Sequence, residues 1–472
     1  MYIVCTVKAF LTTARPVNPS HFALRGSYRT LTLLLQVSYT GKPRHFRPLT
    51  PIRGHAPLAR PADLSHKHPM RILLVHRNFP GQFRYLAPAL AKAGHKVGVL
   101  TWDQNKNPRV LPTAHYSYTP NKIKGLAANY SEYAELGAAA ARAAYGLKQR
   151  GDAPPDVVFG SINWGETLFL KEVWPEARHL GYAEFLYASK GLDTGFDPEF
   201  SHPNFESHIR TVARRAHLMQ AALQADALIS PTYWQASTFP ADVQPKLSVI
   251  HDGVDTTRIA PDASATYQVP DGPLLKTGDE VLTFVNRNLE PYRGYHTLMR
   301  ALPKLMKARP NLQVVMVGGH GSGYGPGPGK DKSWKQVFLD EVGSKIDPRR
   351  LHYVGRIPYP DLLNVLRVGR AHAYLSYPFV LSWSMLEAMS LGCVVVGSNT
   401  PPVAEVIEDG VTGHLVDFFD TNAWANKLEQ VLADPEAQTP IRKAARQHII
   451  DTYDLKTVCL PRLLDFVSAT GR

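Results

Sequence analysis

Cysteine is scarce. Cys5, Cys393 and Cys459 are the only three in 472 residues, scattered without metal-binding spacing, and they cannot build a disulfide framework. Three scattered thiols suit a reducing cytoplasm. Long apolar runs are missing too: "LTLLLQV", the longest near the start, falls far short of the ~20 residues that span a bilayer. Acids are nearly absent from the first 69 residues, where Asp63 stands alone against ten Lys or Arg, so that this segment holds +9 of the formal net charge of +13. The remaining chain is close to balanced, which argues against a nucleic-acid-binding surface on the folded part. A closely spaced glycine fingerprint is lacking as well. After the first apolar strand the chain reads "HRNFPGQF", and without G-x-G-x-x-G a nicotinamide or flavin cofactor is disfavoured.

What is present is ordinary globular composition, 44% hydrophobic and 20% charged, over a length that accommodates two full domains and something extra. The extra is the basic, Pro-rich segment 1–69, expected to be a targeting-like leader or sequence upstream of the natural start at Met70, where "MRILLV" begins the first strand. From there strand and helix alternate. "RILLV", a helix over about 82–93 ended by Gly94, and a second strand form a βαβ unit, followed by strands at "PDVVFGSI", "ARHLGYAEF", "DALISPT" and "KLSVIHDG". A Pro/Asp/Gly-containing linker is expected over 256–280, after which alternation restarts with "EVLTFVNR", a helix from Tyr295 to Lys307, "LQVVMVGG", "LHYVG", "AHAYLS" and "CVVVGS". Two such runs predict an α/β protein of two doubly wound Rossmann-like domains, 70–255 and 281–450, with ligands in the cleft between them. A C-terminal helix over 451–472 is expected to pack back on the first domain, and 319–333, "GHGSGYGPGPGKDKS", to form a flexible loop.

The strand-end loops carry the chemistry. Gly81 is either a plain turn glycine or an opening through which backbone amides meet a phosphate or sugar. Arg287 and Arg293 flank the first strand-to-helix turn of the second domain, "RNLEPYRG". They are either solvated charges or a pair of forked donors for a diphosphate. In "FVLSWSMLEAMSLGCVVVGS" a lone charge, Glu387, sits in a stretch otherwise fit for a core. Such a carboxylate must cap a helix, pair with a cation or await a ligand, and Ser384-x-x-Glu387 fits a capping box.

The ordered series R-x5-R-G, "VGG", "LHYVGRIPYPDLLNVL" and "AHAYLSYPFVLSWSMLEAMSLGCVVVGSNTPPVAEVIEDGVTGHLV", with "VIHDGVD" at 249–255, resembles glycosyltransferase family 4, whose members are retaining sugar-nucleotide transferases of the GT-B fold. The resemblance covers about 70–472. It implies that Glu387 receives the nucleotide ribose as the second Glu of an E-x7-E pattern, and that Arg287 and Arg293 hold the diphosphate. Gly81, Arg356 and Ser382 join the donor site by the same comparison. The first Glu of the pattern is Phe379 here, which removes the usual carboxylate to the donor sugar, and where many members place a His this chain offers Glu184. The implied reaction needs no metal and no cofactor beyond the nucleotide sugar. The implied acceptor is a glycan or lipid-linked intermediate, met in the cytoplasm or by peripheral contact at the inner membrane face. A sugar-nucleotide epimerase and a non-catalytic nucleotide-sugar binder remain open from the residues alone.

Overall fold

The computed structural model describes residues 69–120, 123–321 and 323–469. The expected leader lies outside these residues except for Pro69. Seven short apolar stretches form one parallel sheet: β1 (Arg71–Val75), β2 (Lys96–Trp102), β3 (Thr113–Tyr116), β4 (Val157–Ser161), β5 (Arg178–Tyr182), β6 (Ala227–Ser230) and β7 (Leu247–Val249). Their order is β3-β2-β1-β4-β5-β6-β7. Every residue of β4 is buried, as continuous apolar strands require when helices cover both faces.

After the two-stranded hairpin β8 (Thr266–Gln268) and β9 (Leu274–Lys276) comes a second parallel sheet. It contains β10 (Val281–Asn288), β11 (Gln313–Gly319), β12 (Leu351–Gly355), β13 (Ala371–Tyr374), β14 (Val394–Ser398) and β15 (His414–Val416), in the order β12-β11-β10-β13-β14-β15. Both sheets reverse direction beside their first strand. The loops following β1 and β10 therefore open on crevices at the strands' carboxyl ends. This is the two-domain GT-B architecture.

Local physics corrects several expectations. The stretch 256–280 is not merely a linker, because its hairpin alternates exposed and buried residues and sinks Tyr267, Val269 and Leu275 into the second domain's core. The first helix is shorter than expected: a 3₁₀ turn at Gly81–Phe83 precedes an α-helix confined to Leu86–Lys92. The glycine-rich loop 319–333 is fastened near its middle, where the amides of Tyr324 and Gly325 donate to the carboxylate of Glu290 at 2.9 and 3.2 Å. The helix Leu460–Ser468 places Leu463, Phe466 and Val467 in the first domain's core, and Arg178 donates to the carbonyl of Ala469 at 2.8 Å. Among the described residues no helix is long and apolar enough to cross a membrane.

The chain passes between the domains near Val254 and again near Leu455, and these two passages are bonded to each other. Val254 N donates to Tyr453 O and Leu455 N to Val254 O, both at 2.8 Å. A third link is a strap at 187–204 that leaves the first domain and lies on the second. Phe196 packs on Tyr377 and Phe418, Phe200 on Trp334 and Phe338, and Asp197 accepts from Tyr377 (2.8 Å) and pairs with His296 (3.1 Å). Among the described residues Asp197, Glu199 and His296 are the one trio close enough to share a cation, but Arg300 already takes both oxygens of Glu199 at 2.6 Å.

Candidate functional site

The first domain contributes the turn after β1. Gly81 has φ +45°, and a Cβ built there would fall on the imidazole of His76, so the turn admits only glycine. His76 Nε2 donates to Gln82 Oε1 (2.8 Å), and Gln82 Nε2 donates in turn to Glu184 Oε1 (2.7 Å). Asn163 holds the other oxygen of Glu184 at 3.1 Å. Burial pulls His76 down to about 4, leaving a neutral ring at neutral pH, and pushes the Glu184 carboxyl up against the opposing bond from Gln82.

The second domain contributes the turn after β10. Arg287 and Arg293 do not converge as equals. Arg287 is exposed at the mouth of the cleft. Arg293 is only 5% exposed and donates to Ser376 Oγ (2.7 Å) and Val380 O (3.0 Å), with its guanidinium over the rings of Tyr324 and Phe379. Arg293 is thus no solvated surface charge; it lines the second half of the cleft from a buried position. Arg356 donates to Asn288 Oδ1 at 3.0 Å beside Arg287's side of the cleft.

Glu387 does not cap its helix. The helix Trp383–Ser390 is capped by Ser382, whose Oγ receives the amide of Ser384 at 3.4 Å. Glu387 therefore stands beyond the third helical position, and the capping box at Ser384 does not form. Instead Tyr359 donates to Glu387 Oε1 at 2.6 Å, while Oε2 makes no hydrogen bond among the described residues. The side chain is 8% exposed. Burial raises its proton affinity, and the Tyr359 bond and the charge of Arg84 oppose that rise.

Two neighbouring cavities of about 500 and 540 Å³ make up the cleft, and both are lined by Gly81, Gln82, Arg287, Ser382 and Trp383. The first adds Glu387, Tyr359 and Arg356; the second adds Glu184, Arg293 and Phe379. The sequence-derived residues are thus gathered in one cleft but divided between its halves. Phe379 lies in an aromatic layer, 5.0 Å from Phe185 and 4.8 Å from Tyr324 between ring centroids, and offers the second cavity an apolar wall.

Sequence reasoning missed Gln82, Tyr359 and Asp252. Asp252 bridges the domains, accepting from Tyr182 OH (2.7 Å) and Trp383 Nε1 (3.0 Å), and burial pushes its carboxyl from 3.8 up to about 7. A signal for it existed in "VIHDGVD", whose Asp falls on the Asn of the similar family stretch "IPNGVD".

Residues 93–259 match the family model described as glycosyl transferase family 4 group, and 270–448 match glycosyl transferases group 1. The chain is 26% identical over 298 residues to a D-inositol 3-phosphate glycosyltransferase of Corynebacterium kroppenstedtii, covering 61% of this chain and 60% of that one. Related enzymes of Mycobacterium are 30% identical over 48% of this chain and 49% of theirs. The chain thus spans about half to three fifths of these relatives' length. A glycogen synthase of Mycobacterium tuberculosis is 25% identical over 82% of this chain and 92% of its own. In structure the chain is similar to sucrose-phosphate synthase from Thermosynechococcus elongatus (TM-score 0.62, 17% identity, 84% of this chain and 98% of that one). It is also similar to Anabaena HepE in complex with UDP-glucose (TM-score 0.58, 16% identity, 85% of this chain and 100% of that one).

Proposed function

The chain belongs to the family 4 glycosyltransferases, and from that premise we propose that it moves a sugar, with retention, from a nucleoside diphosphate sugar to a glycan or lipid-linked acceptor. One observation carries the reading. A single cavity is lined by the buried Glu387, one carboxylate oxygen of which has no hydrogen-bond partner among the described residues, together with Arg287 and Arg356. A ribose diol needs an acceptor held on a rigid element, and a diphosphate needs forked cations.

In this reading the ribose rests on Glu387 and the diphosphate lies between Arg287, Arg356 and the amides beside Gly81. The sugar projects into the second cavity toward Glu184 and Phe379. As the glycosidic bond breaks, negative charge grows on the departing diphosphate, and cations already in place stabilise that charge more than the ground state. The leaving phosphate takes the acceptor hydroxyl's proton on the same face, so the proposal calls for no metal and no protein base. Arg293 acts here by holding the aromatic layer and adding positive potential at the wall of the second cavity. The named substrates of the relatives, an inositol phosphate and a glucan, are polyhydroxylated, as such an acceptor would be. We place the reaction in the cytoplasm, with peripheral contact at the inner membrane face for a lipid-linked acceptor.

Phe379 favours a second reading, nucleotide-sugar binding without transfer, since the wall facing the sugar lacks a carboxylate at that position. A thermal-shift panel of UDP, GDP, ADP and their sugars tests the site, because a ligand at ~100 times its dissociation constant stabilises by ~2.7 kcal/mol. Donor hydrolysis by the best binder then separates the two readings. No shift from any nucleotide would overturn both.

A further inference from the structure

The helix Phe205–Arg214 follows the strap and is firmly begun, since Asn204 caps it and accepts the amide of Ser207 on its Oδ1 at 2.9 Å. Yet none of its residues is buried. Phe205, Ile209 and Val212 recur at helical spacing and share one face, while Arg210 and Arg214 fall on the other. In a globular protein the apolar face of such a helix turns to the core. Here the arginine side is the one tied down. The Arg214 guanidinium lies over the ring of Tyr187, 3.9 Å from its centroid, and donates to the Tyr187 hydroxyl at 3.0 Å. The apolar side is left to solvent, with Phe205 75% and Val212 54% exposed.

Positive charge surrounds this face. Between 204 and 216, Arg210, Arg214 and Arg215 stand against the single acid Glu206, and none of the three arginines forms an ion pair among the described residues. Arg214 also lines the second half of the cleft, so whatever covers the helix lies beside the cavity that the sugar enters.

We propose that this helix is a docking surface for an anionic lipid bilayer. Phe205 and Val212 enter between the headgroups, and Arg210 and Arg215 pair with lipid phosphates, their long apolar stems letting the guanidiniums reach back to the headgroup level. So few apolar side chains hold a membrane only transiently, and unpaired cations beside them supply the second signal that stable attachment needs. A second copy of the chain is a poorer cover, because a two-fold pairing would set the arginines of one copy against those of the other. The surface stands on this geometry; only its use, bringing a lipid-linked acceptor to the cleft, rests on the transfer reading.

The test is hydrogen exchange of the full chain, followed in peptides covering 205–216, because the basic segment 1–69 binds anionic vesicles by its charge and total binding would not locate the contact. Vesicles of phosphatidylcholine and phosphatidylglycerol in equal parts should slow exchange there at least tenfold, and vesicles of phosphatidylcholine alone should not. Phe205→Ser with Val212→Ser, and separately Arg210→Gln with Arg215→Gln, should each abolish most of the slowing while keeping the melting temperature of the unaltered chain. No slowing on anionic vesicles, equal slowing on both compositions, or slowing unchanged in both double variants would overturn the proposal. So would protection of 205–216 without lipid that grows with protein concentration, since the face would then belong to a second copy. Lipid-dependent slowing in a chain that no nucleotide stabilises would strike the transfer reading and leave the docking surface standing.

Discussion

Tyr359 gives its phenolic hydrogen to one oxygen of Glu387 at 2.6 Å, and so fixes the carboxylate of a helix in the second domain against a residue two elements earlier. The other oxygen makes no hydrogen bond among the described residues. Glu387→Gln keeps an acceptor for Tyr359 but loses charge and one strong acceptor for a diol. Nucleotide affinity should fall by ~1 to 3 kcal/mol while the apo melting temperature changes little. Calorimetric titration with the best nucleotide of the panel decides it, and unaltered binding would retire the ribose assignment.

The two arginines of the β10 turn should separate in their effects. Arg287→Ala should weaken diphosphate ligands by ~1.5 to 3 kcal/mol and hardly alter stability, since the side chain is exposed. Arg293→Ala removes a buried guanidinium from Ser376 and Val380 and from over two rings, and should lower folding stability by ~2 to 4 kcal/mol. Denaturant melts beside nucleotide titrations check the pair; equal stability losses would contradict it.

Asp252 gives a pH dependence with a definite sign. Between 3.8 and about 7 the folded chain keeps a proton that the unfolded chain has released, so stability falls as pH rises through that window, at up to ~1.4 kcal/mol per pH unit. Asp252→Asn should flatten the melting profile between pH 4 and 7, and should be relatively weaker at the acid end because its amide faces the Trp383 donor. Parallel profiles for the two proteins would refute the assignment.

The strap's anchors should also differ in weight. Asp197→Ala strips a buried acceptor from His296 and Tyr377 and should destabilise by ~3 kcal/mol. Glu199→Ala breaks an exposed pair with Arg300 and should cost less than ~1 kcal/mol. Chemical denaturation of both variants measures the contrast, and a Glu199 effect as large as that of Asp197 would show the strap to be held from its outer side.

The strands most legible in the sequence were those buried on both faces, such as Val157–Ser161 and Val394–Ser398, because continuous apolar runs need no context. Thr113–Tyr116 and His414–Val416 escaped notice, being three or four mixed residues that become strands only by pairing with β2 and β14. Glu387 was legible as a charge out of place, since its apolar surroundings in the chain already implied the burial found. Gln82 and Asp252 were not, since their meaning comes from partners in Glu184, Tyr182 and Trp383, which lie 102, 70 and 131 residues away. The strap was invisible for the same reason: its Phe, Asp and Gly residues read as an ordinary loop until the second domain supplies Tyr377 and His296.

The mutual bonding of the passages at Val254 and Leu455 has a mechanical consequence. Two separate crossings would let the halves of the molecule slide as well as swing, but crossings joined by a pair of backbone bonds move as one pin. Asp252 lies two residues from this pin, and the strap ties the two domains together at a second place, through Phe196 and Asp197 on Tyr377.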